Sequence, residues 1–362
     1  MMIRPWHAGL LAIALPACAQ PEPPLQLEVL GPARDTVIVP YIDVTDAIRV
    51  APGHWVILAP QEPTVATLDI GRRTSRAFGG RQAREPEQPF HLFRSGDTLY
   101  VADWQRRRVT LWSLDERMIG ELTAPGGLRG ALPRERDLAG HWYFELRSAP
   151  GPEGRGNLDS ASIVRARADW TVADTIARLA PLDLAEVIGD GRVRLERRLL
   201  SGQDRWGLLP DGTVWVARVA SNQVEWREVS GAWRHGHQLP DRILPITEND
   251  RELFLRRFDA SLRPTVEQIP FAAIKPPFEN ALTGPDRLVW LIKSRAVGDT
   301  LREYQIVDTT SRLVRYLAHP GFGRLIGLGG GEALVAEPFE RGVRLLVFSI
   351  IPVAAPSKEM TP

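Results

Sequence analysis

The hydrophobic and polar positions of this chain fall into six similar blocks, each a Gly, Asp or Pro turn followed at once by a short, strongly apolar run. The blocks are Gly53-His-Trp-Val-Ile-Leu-Ala59, Gly96-Asp-Thr-Leu-Tyr-Val-Ala102, Gly140-His-Trp-Tyr-Phe-Glu-Leu146, Asp211-Gly-Thr-Val-Trp-Val-Ala217, Pro285-Asp-Arg-Leu-Val-Trp-Leu-Ile292 and Gly331-Glu-Ala-Leu-Val-Ala336. Aligned on the last small or aliphatic residue, at 59, 102, 146, 217, 292 and 336, they are separated by 43, 44, 71, 75 and 44 residues. A unit of about 40 to 50 residues that opens with a turn and a β-run marks a repeat architecture, in which each unit buries its faces only against its neighbours.

After each block a polar turn leads to a second run that alternates apolar and polar residues, as in Arg108-Val-Thr-Leu-Trp112 and Glu303-Tyr-Gln-Ile-Val307. A period of two belongs to half-buried strands. Most units add one more turn and run, such as Asp115 to Leu122, and four antiparallel strands per repeat make the blade of a β-propeller. The sixth block stops one strand later, near Ile350, while two β-runs, Leu25 to Leu30 and Thr36 to Val39, precede the first block. Glu337 to Ile350 and Leu25 to Ala59 together make 49 residues, close to one period. The expected fold is all-β: a six-bladed propeller of four-stranded antiparallel blades over residues 25–350, its ring closed by an N-terminal strand. A seven-bladed ring, or a second small domain around a helix, is the alternative.

The two long steps each hold an insertion of roughly 30 residues. Ser148 to Asn157 is dense in Gly and Pro and reads as a surface loop. Pro245 to Phe258 predicts one short helical insertion at about 245–260, with Thr247 as N-cap, acids in the first turn, Arg256 and Arg257 near the end, and Leu253, Phe254 and Phe258 on one side.

The stretch Phe78-Gly-Gly-Arg-Gln-Ala-Arg-Glu-Pro-Glu-Gln-Pro-Phe90, followed by Gly96-Asp-Thr-Leu-Tyr-Val-Ala-Asp103 and Arg108-Val-Thr-Leu-Trp112, resembles the blade of the NHL-like group of six-bladed propellers, particularly exported bacterial members of uncharacterised function. The resemblance implies the propeller fold and carries little about activity. Propeller enzymes of the gluconolactonase-like class hold a cation with inward Glu, Asn and Asp residues from several blades. This chain has only Asn157, Asn222, Asn249 and Asn280, and none falls in an Asn-x-x-x-Asp run on an inner strand.

At the N-terminus Arg4 precedes the apolar stretch Ala8 to Leu15, too short to span a bilayer and suited to a signal peptide over 1–18. Leu15-Pro-Ala-Cys18 resembles the bacterial lipobox, which implies lipid attachment at Cys18 and a membrane-anchored lipoprotein of the cell envelope. Cleavage at the Ala17-Cys18-Ala19 pattern would instead leave a soluble periplasmic or secreted protein. Residues 19–24 are proline-rich and form an extended tether, and 351–362 a flexible tail. Cys18 is the only cysteine, so no disulfide framework is available whatever the compartment.

Composition changes little. Hydrophobic residues make up 44% and charged residues 25%, as in ordinary globular domains. The formal net charge of +1, with scattered basic residues, implies neither a nucleic-acid partner nor a membrane surface bound by charge. The only lysines are Lys275, Lys293 and Lys358. No G-x-S-x-G elbow, His-Glu-x-x-His, phosphate loop or haem motif is present. No catalytic residue, cofactor or metal site is therefore assigned.

The candidate binding residues are Asp103, Trp104, Arg106, Arg107 and Arg108, whose guanidinium forks and indole suit an anionic or aromatic partner, or else serve as a solvated, ion-paired turn. His235 and His237 share one side of a strand but lack a third ligand at metal spacing. His54 and His141 occupy equivalent turns, and the strand tryptophans Trp55, Trp112, Trp142, Trp215, Trp226 and Trp290 read as filling between blades. The function expected is a non-catalytic envelope propeller that binds a protein, peptide or glycan through its loop face. The alternative is a metal-assisted lactonase or esterase working in the central channel.

Overall fold

The computed structural model describes residues 25–78, 86–124, 126–147, 160–189 and 192–351. The expected signal peptide, Cys18, the tether, the tail beyond Ile351 and the loop Ser148 to Asn157 lie outside them. Two strands, β1 (Leu27–Val29) and β2 (Asp35–Val39), open the described chain and belong to its last two blades. Blade one is β3 (Asp46–Ala51), β4 (His54–Ala59), β5 (Thr64–Asp69) and β6 (Thr74–Ala77), paired in that order. Blade two is β7 (Pro89–Ser95), β8 (Thr98–Asp103), β9 (Arg108–Ser113) and β10 (Met118–Thr123). Blade three is β11 (Pro133–Arg136), β12 (Trp142–Arg147), β13 (Ala161–Ala166) and β14 (Val172–Arg178). A separate hairpin, β15 (Leu184–Gly189) and β16 (Arg192–Arg197), precedes blade four, which is β17 (Arg205–Leu208), β18 (Val214–Arg218), β19 (Gln223–Arg227) and β20 (Trp233–Arg234). Two helices, α1 (Glu248–Leu255) and α2 (Arg263–Val266), precede blade five, β21 (Phe278–Thr283), β22 (Val289–Lys293), β23 (Leu301–Val307) and β24 (Leu313–Pro320). Blade six is β25 (Arg324–Gly329), β26 (Glu332–Phe339) and β27 (Gly342–Ser349), completed by β2.

The six apolar blocks are the second strands of the six blades. A second strand has a paired strand on each side and a neighbouring blade against each face, so it reads as a continuous apolar run rather than an alternating one; from Trp55 to Ala59 every residue is buried. Six clusters fill the six gaps between blades. Trp55 and Ile57 meet Leu334 and Leu345 of blade six, and Val56 and Leu58 meet Leu99 and Val101 of blade two. Tyr100 and Val109 meet Trp142 and Phe144, and Tyr143 and Ile163 meet Val214 and Val216. Trp215 and Trp226 meet Val289 and Leu291, and Trp290 and Tyr304 meet Leu325 and Phe348. All six strand tryptophans are buried in these gaps or along them.

Of the two runs expected to close the ring, Thr36 to Val39 does so. It lies antiparallel to β27 with Val37 opposite Leu345 and Val39 opposite Val343, and both valines are fully buried. The other run adds β1 to blade five as a fifth, parallel strand, Leu27 opposite Tyr316.

Antiparallel order fixes where the insertions fall. The connection entering each first strand and the turn between second and third strands lie at one end of every blade, the remaining turns at the other. The hairpin β15–β16 and the segment with α1 and α2 both enter first strands, so both stand on the same mouth of the ring. Helix α1 starts where the sequence predicts: Thr247 is the N-cap, its hydroxyl accepting from the Asp250 N–H while the Asp250 carboxylate accepts from the Thr247 N–H at 2.9 Å. Asp250 also pairs with Lys275 at 2.5 Å. Phe254 packs on Phe258 and Phe271, but Leu253 remains exposed, because a helix of two turns lying on the body buries only one stripe. Thr247→Ala is expected to destabilise this insertion by about 1 kcal/mol; faster amide exchange confined to residues 248–255 checks it. No helix of the described residues is long and apolar enough to cross a membrane.

Candidate functional site

The six first strands, β3, β7, β11, β17, β21 and β25, neighbour one another around a closed ring and line the channel. At the insertion-bearing mouth they present Asp46, His91, Arg134, Glu135, Arg205 and Arg324. His91, Arg205 and Arg324 face Ala102, Ala217 and Ala336 across their ladders, the very positions that align the repeats. In blade three a β-bulge between Pro133 and Glu135 inserts an extra residue and re-aims the strand end, bringing both Arg134 and Glu135 to the mouth.

These groups bear on one another electrically. Asp46 accepts the Leu92 N–H at 3.3 Å and lies 3.6 Å from Nδ1 of His91. His91 Nε2 lies 2.7 Å from the Arg134 carbonyl, which can only accept, so Nε2 carries the hydrogen and Nδ1 turns its lone pair toward Asp46. Burial, then the Arg134 charge, pushes His91 down to about 3. The ring is neutral at neutral pH, and its approach to Asp46 is no ion pair. Burial pushes Asp46 up to about 6 against the opposing pull of the Leu92 and Ala47 amides and Arg134. Burial, then the Asp46 charge, pushes Glu135 up to about 8, with Arg134 relieving part of it. Asp46 and His91 keep 26% and 21% side-chain exposure, since they face the bore, although protein encloses them on every side.

Two guanidiniums complete the mouth. Burial and the like charges of Arg197 and Arg134 depress Arg205, whose Nη2 reaches the Glu279 carbonyl at 3.3 Å while its Nε is buried without a partner. Arg134 lies over the Phe90 ring at 5.2 Å. Neither has a carboxylate within ion-pair distance among the described residues. The nearby Glu145 accepts from Trp206 Nε1 at 3.0 Å. A shallow groove between blades three and four, open to solvent, is lined by Glu145, Arg147, Ala161, Leu179, Leu182 and Asp204.

The five residues singled out in the sequence do not form one cluster. Asp103 is buried and caps its turn, accepting the N–H groups of Glu87, Gln88 and Arg106. Arg108 stands opposite it in the ladder yet pairs with Glu121 at 2.8 Å, and Arg106 pairs with Glu87 at 2.9 Å. Arg107 occupies the left-handed region, φ 49°, its guanidinium over Gly130. Trp104 and Arg107 are exposed; Trp104 is 52% exposed, its indole edge-on to Phe90 at 6.1 Å, and through Phe90 it adjoins Arg134 and the mouth. His235 bonds Glu225 at 2.8 Å and stacks on Trp233. His54 and His141 bond within their own turns, to the Pro52 carbonyl and to Asp137.

Among the described residues no group of three or more His, Cys, Asp or Glu side chains is placed to hold a metal ion. The mouth suits two other tasks: attracting an anion to guanidiniums that no described carboxylate pairs, and holding a proton on Glu135 beside Asp46.

No protein-family model matches the sequence, and no curated protein does. Solved structures match in shape. Regucalcin from Agrobacterium tumefaciens, a calcium-binding protein, is 11% identical over 90% of this chain and 98% of its own, with a TM-score of 0.43. A putative exported protein from Bacteroides fragilis is 10% identical over 91% and 95%, with a TM-score of 0.49. A gluconolactonase from Xanthomonas campestris is 13% identical over 90% and 99%, with a TM-score of 0.44. With TM-scores below 0.5 these likenesses carry nothing about activity; the propeller rests on its strand order.

Proposed function

We propose that this chain is a non-catalytic propeller of the bacterial cell envelope that binds a protein, peptide or glycan through the mouth bearing its insertions. The observation that carries the reading is the coincidence, at one mouth, of both insertions, an exposed indole and the guanidiniums of Arg134 and Arg205, which no carboxylate pairs among the described residues. Among the described residues, the opposite mouth, where the first strands end, is built from short turns. The metal-assisted hydrolase reading needs a converging set of ligands, and among the described residues no three His, Cys, Asp or Glu side chains are so placed.

The protein from Leu25 onward, incubated with envelope extract, should gain hydrogen-exchange protection at this mouth, around Trp104, Arg134 and Arg205, and lose most of it in Trp104→Ala. Protection at the other mouth, or turnover of lactones or esters with added Ca²⁺, would overturn the reading. Envelope anchoring is tested separately: mass spectrometry of the membrane fraction should find an acylated N-terminal Cys18, and a mature chain beginning at Gln20 would remove the lipid.

A further inference from the structure

Blade five already has four antiparallel strands, yet β1 joins it as a fifth, parallel one. It completes no blade and closes no ring, a task that falls to β2, and its three residues are all exposed. It is nonetheless pinned. The Leu30 N–H donates to the Ala318 carbonyl at 2.7 Å, and Arg315 holds the Glu28 carboxylate through Nε at 2.8 Å and Nη2 at 2.5 Å, the two-pronged geometry in which such a pair is strongest. The same guanidinium donates through Nη1 to the Ile351 carbonyl at 2.5 Å. One side chain thus ties both ends of the described chain to one corner. Direction follows from the ladder: β24 is a fourth strand and runs toward the insertion-bearing mouth, and β1 lies parallel to it with Leu27 opposite Tyr316. The chain before Leu25 therefore arrives from the opposite mouth.

We propose that β1 is a clasp that orients the protein on its membrane: it fixes the lipid tether to the opposite mouth, so that the bilayer lies on that side and the insertion-bearing mouth is held away from it. The inference rests on lipid attachment at Cys18 and on the binding reading above. It matters because the insertion-bearing mouth leaves Ile42, Trp104, Ile243, Ile274, Val297 and Phe322 open, and apolar side chains gathered on one face serve a lipid surface as readily as a protein. The clasp removes lipid from the choice, and the partner is one that approaches from the far side of the molecule.

Chain length carries the argument. Leu25 stands seven residues after Cys18, and seven residues reach at most about 25 Å however they are drawn out. Leu27 lies opposite Tyr316, four residues short of Pro320 at the end of β24, which puts Leu25 about 20 Å below the insertion-bearing rim. Helix α1 lies on that rim and raises the plane of contact by about another 10 Å. A bilayer touching this mouth would thus be about 30 Å from Leu25, beyond the tether. Release of β1 would free the chain as far as β2 at Asp35 and lengthen the reach by about 35 Å, so the restriction exists only while the clasp is closed.

The test uses the full-length protein, acylated in cells and reconstituted in vesicles of phosphatidylcholine and phosphatidylglycerol. Acylation occupies the only cysteine, so an introduced one carries a fluorescent donor alone. Asp97→Cys places it at the opposite mouth, in the turn between β7 and β8 where the side chain is 96% exposed, and Val297→Cys at the insertion-bearing mouth, between β22 and β23. Energy transfer to an acceptor lipid should be at least about twofold stronger from position 97, because the two mouths stand about 20 Å apart. Replacing residues 25–29 by Gly-Ser repeats of equal length should bring the two positions to parity, with thermal unfolding unchanged because β1 is no part of the ring. Equal or stronger transfer from position 297 in the parent, or a full difference that survives the replacement, overturns the proposal. If Cys18 carries no lipid, the anchoring reading falls and this inference with it; if acylated protein shows the wrong order, the inference alone falls.

Discussion

Val37→Asp should destabilise the propeller by about 3–5 kcal/mol, the range for an uncompensated buried charge, whereas Thr36→Asp on the same strand should cost under about 0.5 kcal/mol. The two positions differ only in direction. Thr36 is exposed, while Val37 is 1% exposed in the cluster joining blades six and one. Forcing β2 off its partner uncovers the edge of β27 and opens the interface between blades six and one. Urea unfolding of the two variants against the parent measures the difference. A Val37→Asp as mild as Thr36→Asp would mean that the ring does not depend on its closing strand.

The second large effect concerns pH. Glu135 has its pKa raised in the folded state, to about 8 from an ordinary 4.5, so the native protein binds this proton more tightly than the unfolded chain. Its contribution is fully present below the unfolded value and lost as pH rises through about 8. Asp46 acts in the same sense but is spent by about 6. His91, pushed down to about 3 from 6.5, acts oppositely, and only below 6.5. Of these three groups, Glu135 is therefore the one that titrates between about pH 6.5 and 8.5. Each pKa unit is worth about 1.4 kcal/mol; the water-filled bore screens part of it, so the parent should lose about 1–2 kcal/mol across this window relative to Glu135→Gln. Parallel stability profiles for parent and variant would show that Glu135 is already ionised at neutral pH.

The blade pattern was legible because it is local. A second strand must be apolar throughout, and a tight turn must precede it, so Gly53 to Ala59 and its five counterparts repeat visibly. The cap at Thr247 was legible for the same reason, since a capping box is contained in four residues. The mouth was not, because Asp46, His91, Arg134, Glu135 and Arg205 come from four blades and share no spacing. Their first strands also lack the apolar run of the second, since they line a wet channel, and so resemble connections. One signal was available: in three repeats the residue facing the aligned alanine at 102, 217 or 336 is His91, Arg205 or Arg324. The turn Asp103 to Arg108 drew attention instead through its density of charge, and that charge is largely consumed in capping and pairing.

The closing strand also sets a timetable. Val37 and Val39 find their partners only at Leu345 and Val343, some three hundred residues later, so a strand made near the start of the propeller is the last to be satisfied. Contacts of such long range close slowly. Until they close, blade six keeps an open edge able to pair with another chain. Refolding should end in a slow step that Val37→Ala retards, with aggregation before it, and the protein is most vulnerable in the interval between its own two ends.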